Sequence, residues 1–271
     1  MIIALPHRSL VRFGKDDAAP FLNDLITASI PESAEDGLRP AALLTPQGRI
    51  LFDMLVSRDG NDILVELDRD RTDLFMKKMM MYRLRRDVFI TADDRTVHAV
   101  ITPENSTGMT RDTRFTQDVF RLYGNAAETA NLQAYTAYRY QHGVAEGASE
   151  LPPEKALPLE ARLDLNQGIS FEKGCYIGQE VTARTRYRGL VKRSYLPITL
   201  PASISAPQDI MASDKVVGEL LGTAQHGETA IGLASIRLDA LDGDNPLTID
   251  DQVITPQFPE RLMPLPKRKS D

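Results

Sequence analysis

Short apolar runs alternating with turn residues dominate the first hundred positions. Residues 9–13 read as a strand that Gly14 ends. Ala18, Phe21, Leu22 and Leu25 then recur at helical spacing, which predicts a helix capped by Asp16 and running to about residue 25. Residues 41–45 and 50–58 are two apolar runs around Pro46-Gln47-Gly48, the pattern of a hairpin. Asp59-Gly60 marks a second turn, and residues 63–67 a third strand. Residues 70–82 predict a helix rich in Met and Lys, with Met76 and Met79 to Met81 read as core filling. Its closing cations (Lys77, Lys78, Arg83, Arg85, Arg86) complement the helix dipole. Strands follow at 88–91, 97–101 and 119–123, with a polar loop over 102–117. A helix is predicted over 132–140, ending at Gly143, and then a Gly/Pro/acid-rich connector over 146–158. Strands and helices mix without βαβα alternation, which argues for an α+β fold. After Arg188 the runs at 195–200, 216–223, 230–238 and 247–254 are strand-like, and predict a separate all-β unit, a sandwich or barrel.

Composition narrows the function. The 271 residues are 42% hydrophobic and 26% charged, with a formal net charge of -6, so a body wrapped on nucleic acid is disfavoured while a local basic patch is not. No apolar stretch approaches the roughly 18 residues of a membrane span. Residues 2–5 are too short for a signal-peptide core, and acids from Asp16 onward oppose a transit peptide, so a cytoplasmic protein is expected. Cys175 is the single cysteine. It allows no internal disulfide, and an iron–sulfur cluster needs about four thiolates. The four histidines are scattered, the acids at Asp239, Asp242, Asp244, Asp250 and Asp251 lack calcium-loop spacing, and no P-loop, dinucleotide or serine-hydrolase signature occurs. No stably bound metal is expected.

Residues 168–189, GISFEKGCYIGQEVTARTRYRG, concentrate the candidate chemistry. Gly174 and Gly178 flank Cys175-Tyr176-Ile177 and free the backbone to bend. In an extended chain Lys173 and Cys175 point to one side, where an ammonium favours the thiolate. Gln179 and Glu180 stand where a helix could start, its N–H groups favouring an anion. Cys175 is thus either a reactive thiolate or a small buried hydrophobe. Arg184, Arg186 and Arg188, with Lys192 and Arg193, form a cationic run whose alternation places the first three on one strand face. It is either a solvated edge or a site for carboxylates, phosphate or RNA backbone.

The octet KGCYIGQE, Lys173 to Glu180, resembles the signature of the YgfZ family, folate-binding iron–sulfur cluster assembly factors related to the glycine cleavage T-protein (an aminomethyltransferase). Pro158-Leu159-Glu160-Ala161 and Gly168-Ile169-Ser170-Phe171 resemble the family's approach to the motif. Thr182-Ala183-Arg184, Arg188-Gly189 and Lys192-Arg193 resemble its exit, and Leu44 to Asp53 its first hairpin. The extended form looks nearer to the mitochondrial-type assembly branch than to the tRNA-linked one. The resemblance implies two interleaved α+β domains over 1–190 and a C-terminal β-barrel over 191–262 around a central cavity; the Pro- and Lys/Arg-rich residues 263–271 read as a basic disordered tail. It implies tetrahydrofolate as ligand, and cluster assembly proteins and client 4Fe–4S enzymes as partners. Cys175 and Lys173 would carry the chemistry, with Cys175 a nucleophile, a redox group or one ligand of a bridged cluster. Gly174, Tyr176, Gly178, Gln179, Glu180, Arg184 and Asp53 would hold the folate. Where the T-protein carries paired acids this chain has Phe52-Asp53, an incomplete acid/base pair. A conventional enzyme is therefore not expected. The alternatives are a folate-dependent aminomethyl or one-carbon transferase, and an RNA-binding factor linked to tRNA modification.

Overall fold

The structure is a computed structural model describing residues 1–243 and 245–266 and, Asn166 and His226 apart, their side chains. The chain forms two compact units. One holds Met1–Leu132 and Leu163–Gln179; the other holds Gln133–Arg162 and the chain from Glu180 onward. The predicted basic stretch Lys267-Arg268-Lys269 and Asp244 lie outside the described residues.

In the first unit an antiparallel five-stranded sheet runs in the order β3 (Arg39–Leu44), β4 (Ile50–Asp59), β5 (Asp62–Asp68), β2 (Arg8–Gly14), β6 (Phe89–Asp93). An antiparallel four-stranded sheet runs β1 (Ile2–Ala4), β7 (Val97–Ile101), β9 (Val119–Tyr123), β8 (Thr110–Arg111). The chain starts in the smaller sheet, builds the larger one and returns, so the two are interleaved. Register aligns Val11 with Val65 and Val65 with Val56. This row faces helices α1 (Ala18–Asn23) and α2 (Thr72–Arg83), where Phe13, Phe52, Phe21, Phe75 and Met79 complete an apolar core. Glu66 is paired between Leu10 and Leu55, and so belongs to the opposite face.

The second unit contains most of α3 (Leu132–Gln141) and α4 (Gln179–Tyr187), and a closed six-stranded barrel. The barrel order is β10 (Arg193–Pro201), β13 (Thr229–Arg237), β12 (Lys215–His226), β11 (Gln208–Ala212), β14 (Leu247–Ile249), β15 (Gln252–Pro256), with the short α5 (Leu238–Leu241) after β13. Leu220, Ala234, Ile236, Ile249 and Ile254 are among its core residues. Gly222, beside a bulge in β12, leaves room for the Tyr140 hydroxyl, which a Cβ there would strike.

Several expectations need correction. The span 247–254 is a hairpin rather than one strand: Asp250 and Asp251 both have positive φ, the geometry of a tight two-residue turn. β1, β8 and β11 were not expected from the pattern. Asp17 rather than Asp16 stands at the N-cap position of α1, and its side chain, instead of capping the helix, accepts the backbone N–H of Asp87 at 2.9 Å. The Gly/Pro/acid-rich connector over 146–158 holds buried carboxylates that its composition did not announce. Glu150 receives Arg139 through two hydrogen bonds of 2.8 Å and Tyr140 at 2.9 Å, and Glu146 accepts Tyr135 at 2.9 Å, all in buried surroundings. Met79 is core and Met76 half-buried, but Met80 and Met81 are exposed.

Candidate functional site: the Cys175 loop

The octet begins on a segment stitched into the first unit. Ser170 N–H donates to the Thr27 carbonyl at 2.9 Å, and the Thr27 hydroxyl donates to the Gly168 carbonyl at 2.7 Å. Lys173 continues the seam. Its Nζ donates to the carbonyls of Asn23, Ile26 and Ala28 at 2.8, 2.6 and 2.7 Å, and lies 5.0 Å from the Tyr176 ring centre. An ammonium has three N–H donors, so these carbonyls use all of them. Lys173 therefore has no N–H left to donate to the Cys175 thiol. Burial pushes its pKa down to about 8, with Asp24 acting in the opposite direction.

Gly178 fixes the other end. Its φ is +81°, and a Cβ there would sit 2.7 Å from the Thr45 carbonyl oxygen and 3.0 Å from Leu44 Cβ. Only glycine tolerates both the conformation and the approach. The octet thus packs on the turn between β3 and β4, which joins the two stretches that carry the family resemblance. Gly174 is different: a Cβ there would meet nothing within 4 Å. Between the two anchors Cys175 is exposed, which rules out the buried-hydrophobe reading. Tyr176, by contrast, is only 6% exposed, its hydroxyl has no hydrogen-bond partner among the described residues, and burial pushes the phenol up to about 12.

Asp53 lies on β4 with Arg8 Nη1 3.8 Å away, and through Arg8 it meets a buried charged chain. Glu66 accepts Arg8 Nε at 3.1 Å, Arg121 Nε at 3.1 Å and the Tyr123 hydroxyl at 3.1 Å. Asp112 is 3.1 Å from Arg121 and accepts Arg114 at 2.7 Å. Burial opposes the Asp112 charge, yet Arg114 and Arg121 hold its pKa below the usual carboxylate range. Burial, reinforced by Glu66, pushes the Tyr123 phenol well up. Three arginines thus meet Glu66, Asp112 and Asp53, and the charges cancel. The sequence reading missed this network. Its available signal was an isolated charge inside an otherwise apolar strand: Glu66 among residues 63–67, and Arg121 among residues 119–123. Phe52 points the other way, into the apolar core, with its ring centre 5.4 Å from that of Phe75 and the Arg71 guanidinium over it at 4.5 Å.

The remaining candidates follow Gly178 along the chain. Gln179 begins α4, as its place after Gly178 suggested, and Glu180 and Arg184 are exposed and belong to the second unit. The expected strand through Arg184, Arg186 and Arg188 is a helix up to Tyr187. Residues two apart on a helix point in nearly opposite directions, so these arginines form no single stripe. Among the described residues no three His, Cys, Asp or Glu side chains come close enough to hold a metal ion, and no helix is long and apolar enough to cross a membrane.

Fold and loop together define an α+β protein with two interleaved antiparallel sheets, a C-terminal barrel and a presented cysteine. Among solved structures, the glycine cleavage system aminomethyltransferase T from Bartonella henselae superposes with a TM-score of 0.75 at 12% identity, covering 94% of this chain and 84% of that one. Residues 192–264 match the family model described as CAF17, C-terminal beta-barrel domain. The iron-sulfur cluster assembly factor IBA57, mitochondrial, of Mus musculus is 33% identical over 280 residues, covering 88% of this chain and 78% of the relative. The human protein of that name is 32% identical with the same coverage, and the Pyricularia oryzae homolog is 33% identical, with 66% of its length covered. The chain belongs to the IBA57 family of iron–sulfur cluster assembly factors.

Proposed function

We propose that this chain works in iron–sulfur cluster assembly as a folate-binding accessory factor for 4Fe–4S enzymes, sharing the folate dependence of the YgfZ family, with Cys175 as its reactive group. One observation carries the reading: in a chain of this family, the lone thiol is exposed on a loop held at both ends, by Lys173 and by Gly178. Lys173 acts by position, locking the backbone before the thiol. One thiolate donates one ligand, so a cluster handled as cargo is bridged, with a partner protein or glutathione supplying the other ligands. A transient nucleophile or redox role uses the same exposure.

A pterin needs a flat apolar setting with a few polar groups, and Tyr176 offers a buried hydroxyl with unused hydrogen-bonding capacity. Tyr176 and Asp53 are the groups assigned to the pterin, Gly174 and Gly178 the close backbone, Gln179 and Glu180 the loop's exit. Bound tetrahydrofolate would supply one-carbon or reducing chemistry. Aminomethyl transfer is less favoured, because Phe52 lies in the apolar core, and RNA binding is less favoured, because α4 splays the arginines. The cytoplasm is the proposed compartment, whereas the relatives are named as mitochondrial; fractionation of the source cell tests it.

The test is genetic with a chemical readout. In a deletion strain, 4Fe–4S enzyme activities should fall and return with the wild-type chain, fail to return with Cys175→Ala, and return only partly with Lys173→Ala. Equal rescue by all three removes the role of the thiol. Titration with tetrahydrofolate should show binding that Tyr176→Phe weakens by about fivefold, the worth of roughly one hydrogen bond.

A further inference from the structure

Helix α2 is apolar on two sides. Phe75 and Met79 are buried in the core, with Met76 and Tyr82 half-buried beside them. Away from that core, Leu74 is 55% exposed, Met80 47%, Met81 75% and Leu84, just past the last turn, 84%. Leu74, Lys77, Lys78 and Met81 follow the three-, four- and seven-residue spacing of one helix face. Clustered exposed apolar side chains mark interaction surfaces. Leu84 holds a positive φ of 49° while its side chain is in solvent, a strained conformation without a packing reward in the chain itself. It lines a surface depression with Asp17, Arg85 and Arg86.

The charge around this face identifies what covers it. From Thr72 to Arg86 there are five basic residues and one acid, a net charge of +4 in a chain whose total is -6. Lys77 and Arg85 make no hydrogen bond or ion pair among the described residues. The exposed apolar side chains are Leu and Met, without the exposed aromatic anchors of membrane-surface helices. Methionine is the adaptable residue of protein-binding surfaces.

We propose that the outer face of α2, centred on Leu74, Met80, Met81 and Leu84 and rimmed by Lys77 and Arg85, docks an acidic protein of the iron–sulfur assembly machinery through an apolar patch edged with carboxylates. This rests on the assembly role proposed above. The cations speed and orient the encounter and the methionines bury the contact. A standard interface buries roughly 800 Å² a side, for which this face supplies the apolar centre.

Each cluster scaffold and carrier protein of the source organism, purified singly, is titrated calorimetrically with the full chain at about 50 and 300 mM salt, conditions of weak and strong screening. One acidic member should bind, more weakly at the higher salt. Leu74→Ser/Met81→Ser should weaken binding at least about tenfold, as for interface anchors, and Lys77→Glu/Arg85→Glu should do the same and reduce the salt dependence. Thermal melting of both double variants should stay within about 2 °C of wild type, since the side chains are exposed. The inference is overturned if none of these proteins binds the wild-type chain, if both variants bind as well as it does, or if only vesicles with about 30 mol% phosphatidylglycerol or a second copy of the chain bind. Variants that bind and rescue like wild type end this inference and leave the proposed function standing. Docking by a chain whose deletion harms no 4Fe–4S enzyme does the reverse.

Discussion

Lys173 and Gly178 hold one loop by different means, and each predicts a distinct response. Lys173 is pushed from an ordinary 10.5 to about 8, burial outweighing Asp24. Between those values the unfolded chain binds more protons than the folded one, so this group's contribution to stability rises with pH across that window. Lys173→Met lacks that dependence. Urea denaturation from pH 7.5 to 10 should therefore show wild type gaining on the variant by about 1 kcal/mol, discounted for the partial exposure of the side chain. A constant difference would refute the buried-ammonium account. Gly178→Ala forces a Cβ against the Thr45 carbonyl at positive φ and should cost about 1–3 kcal/mol. Gly174→Ala meets open space and should stay within about 0.5 kcal/mol. The motif alone did not separate the two glycines, because a glycine kept for its φ and one kept for exposure look alike in sequence.

At the scale of elements, pattern was most legible where an apolar run is bounded by polar or turn residues. β7 and β9 match their expected spans, and the β3–β4 hairpin follows its Pro46-Gln47-Gly48 turn. It was least legible where propensity and alternation disagreed. Residues 183–188 alternate like a strand, yet Gln179, Glu180, Ala183 and the arginines are good helix formers, and the positive φ of Gly178 provides the break before them. The β14–β15 hairpin was hidden because two aspartates form its turn without a glycine. The buried Arg8–Glu66–Arg121–Asp112–Arg114 chain couples strands of both sheets in the first unit. Glu66→Gln leaves two buried arginines short of one charge, and should lower unfolding free energy by about 3–5 kcal/mol, read by calorimetry or denaturant titration. A loss below about 1 kcal/mol would mean water reaches this network.

For the whole molecule, the proposed ligand makes a thermodynamic demand. Tetrahydrofolate at a hundred times its dissociation constant should stabilise the folded chain by about 2.7 kcal/mol and raise the melting temperature by roughly 5–10 °C at this size. An unchanged melting temperature at saturating folate would remove the folate from the proposal while leaving Cys175 in place. The sequence by itself determined the mixed α+β class and the all-β C-terminal part, and singled out the KGCYIGQE octet as the candidate site, because periodicity, turn residues and a single cysteine are local properties that need no partner. Which groups meet was decided only by the tertiary structure. Lys173 reaches carbonyls 145 to 150 residues earlier in the chain, Gly178 closes on the Thr45 turn, and half of the methionine run faces solvent. Such pairings depend on how distant segments pack, and a side chain's sequence neighbours carry no record of them.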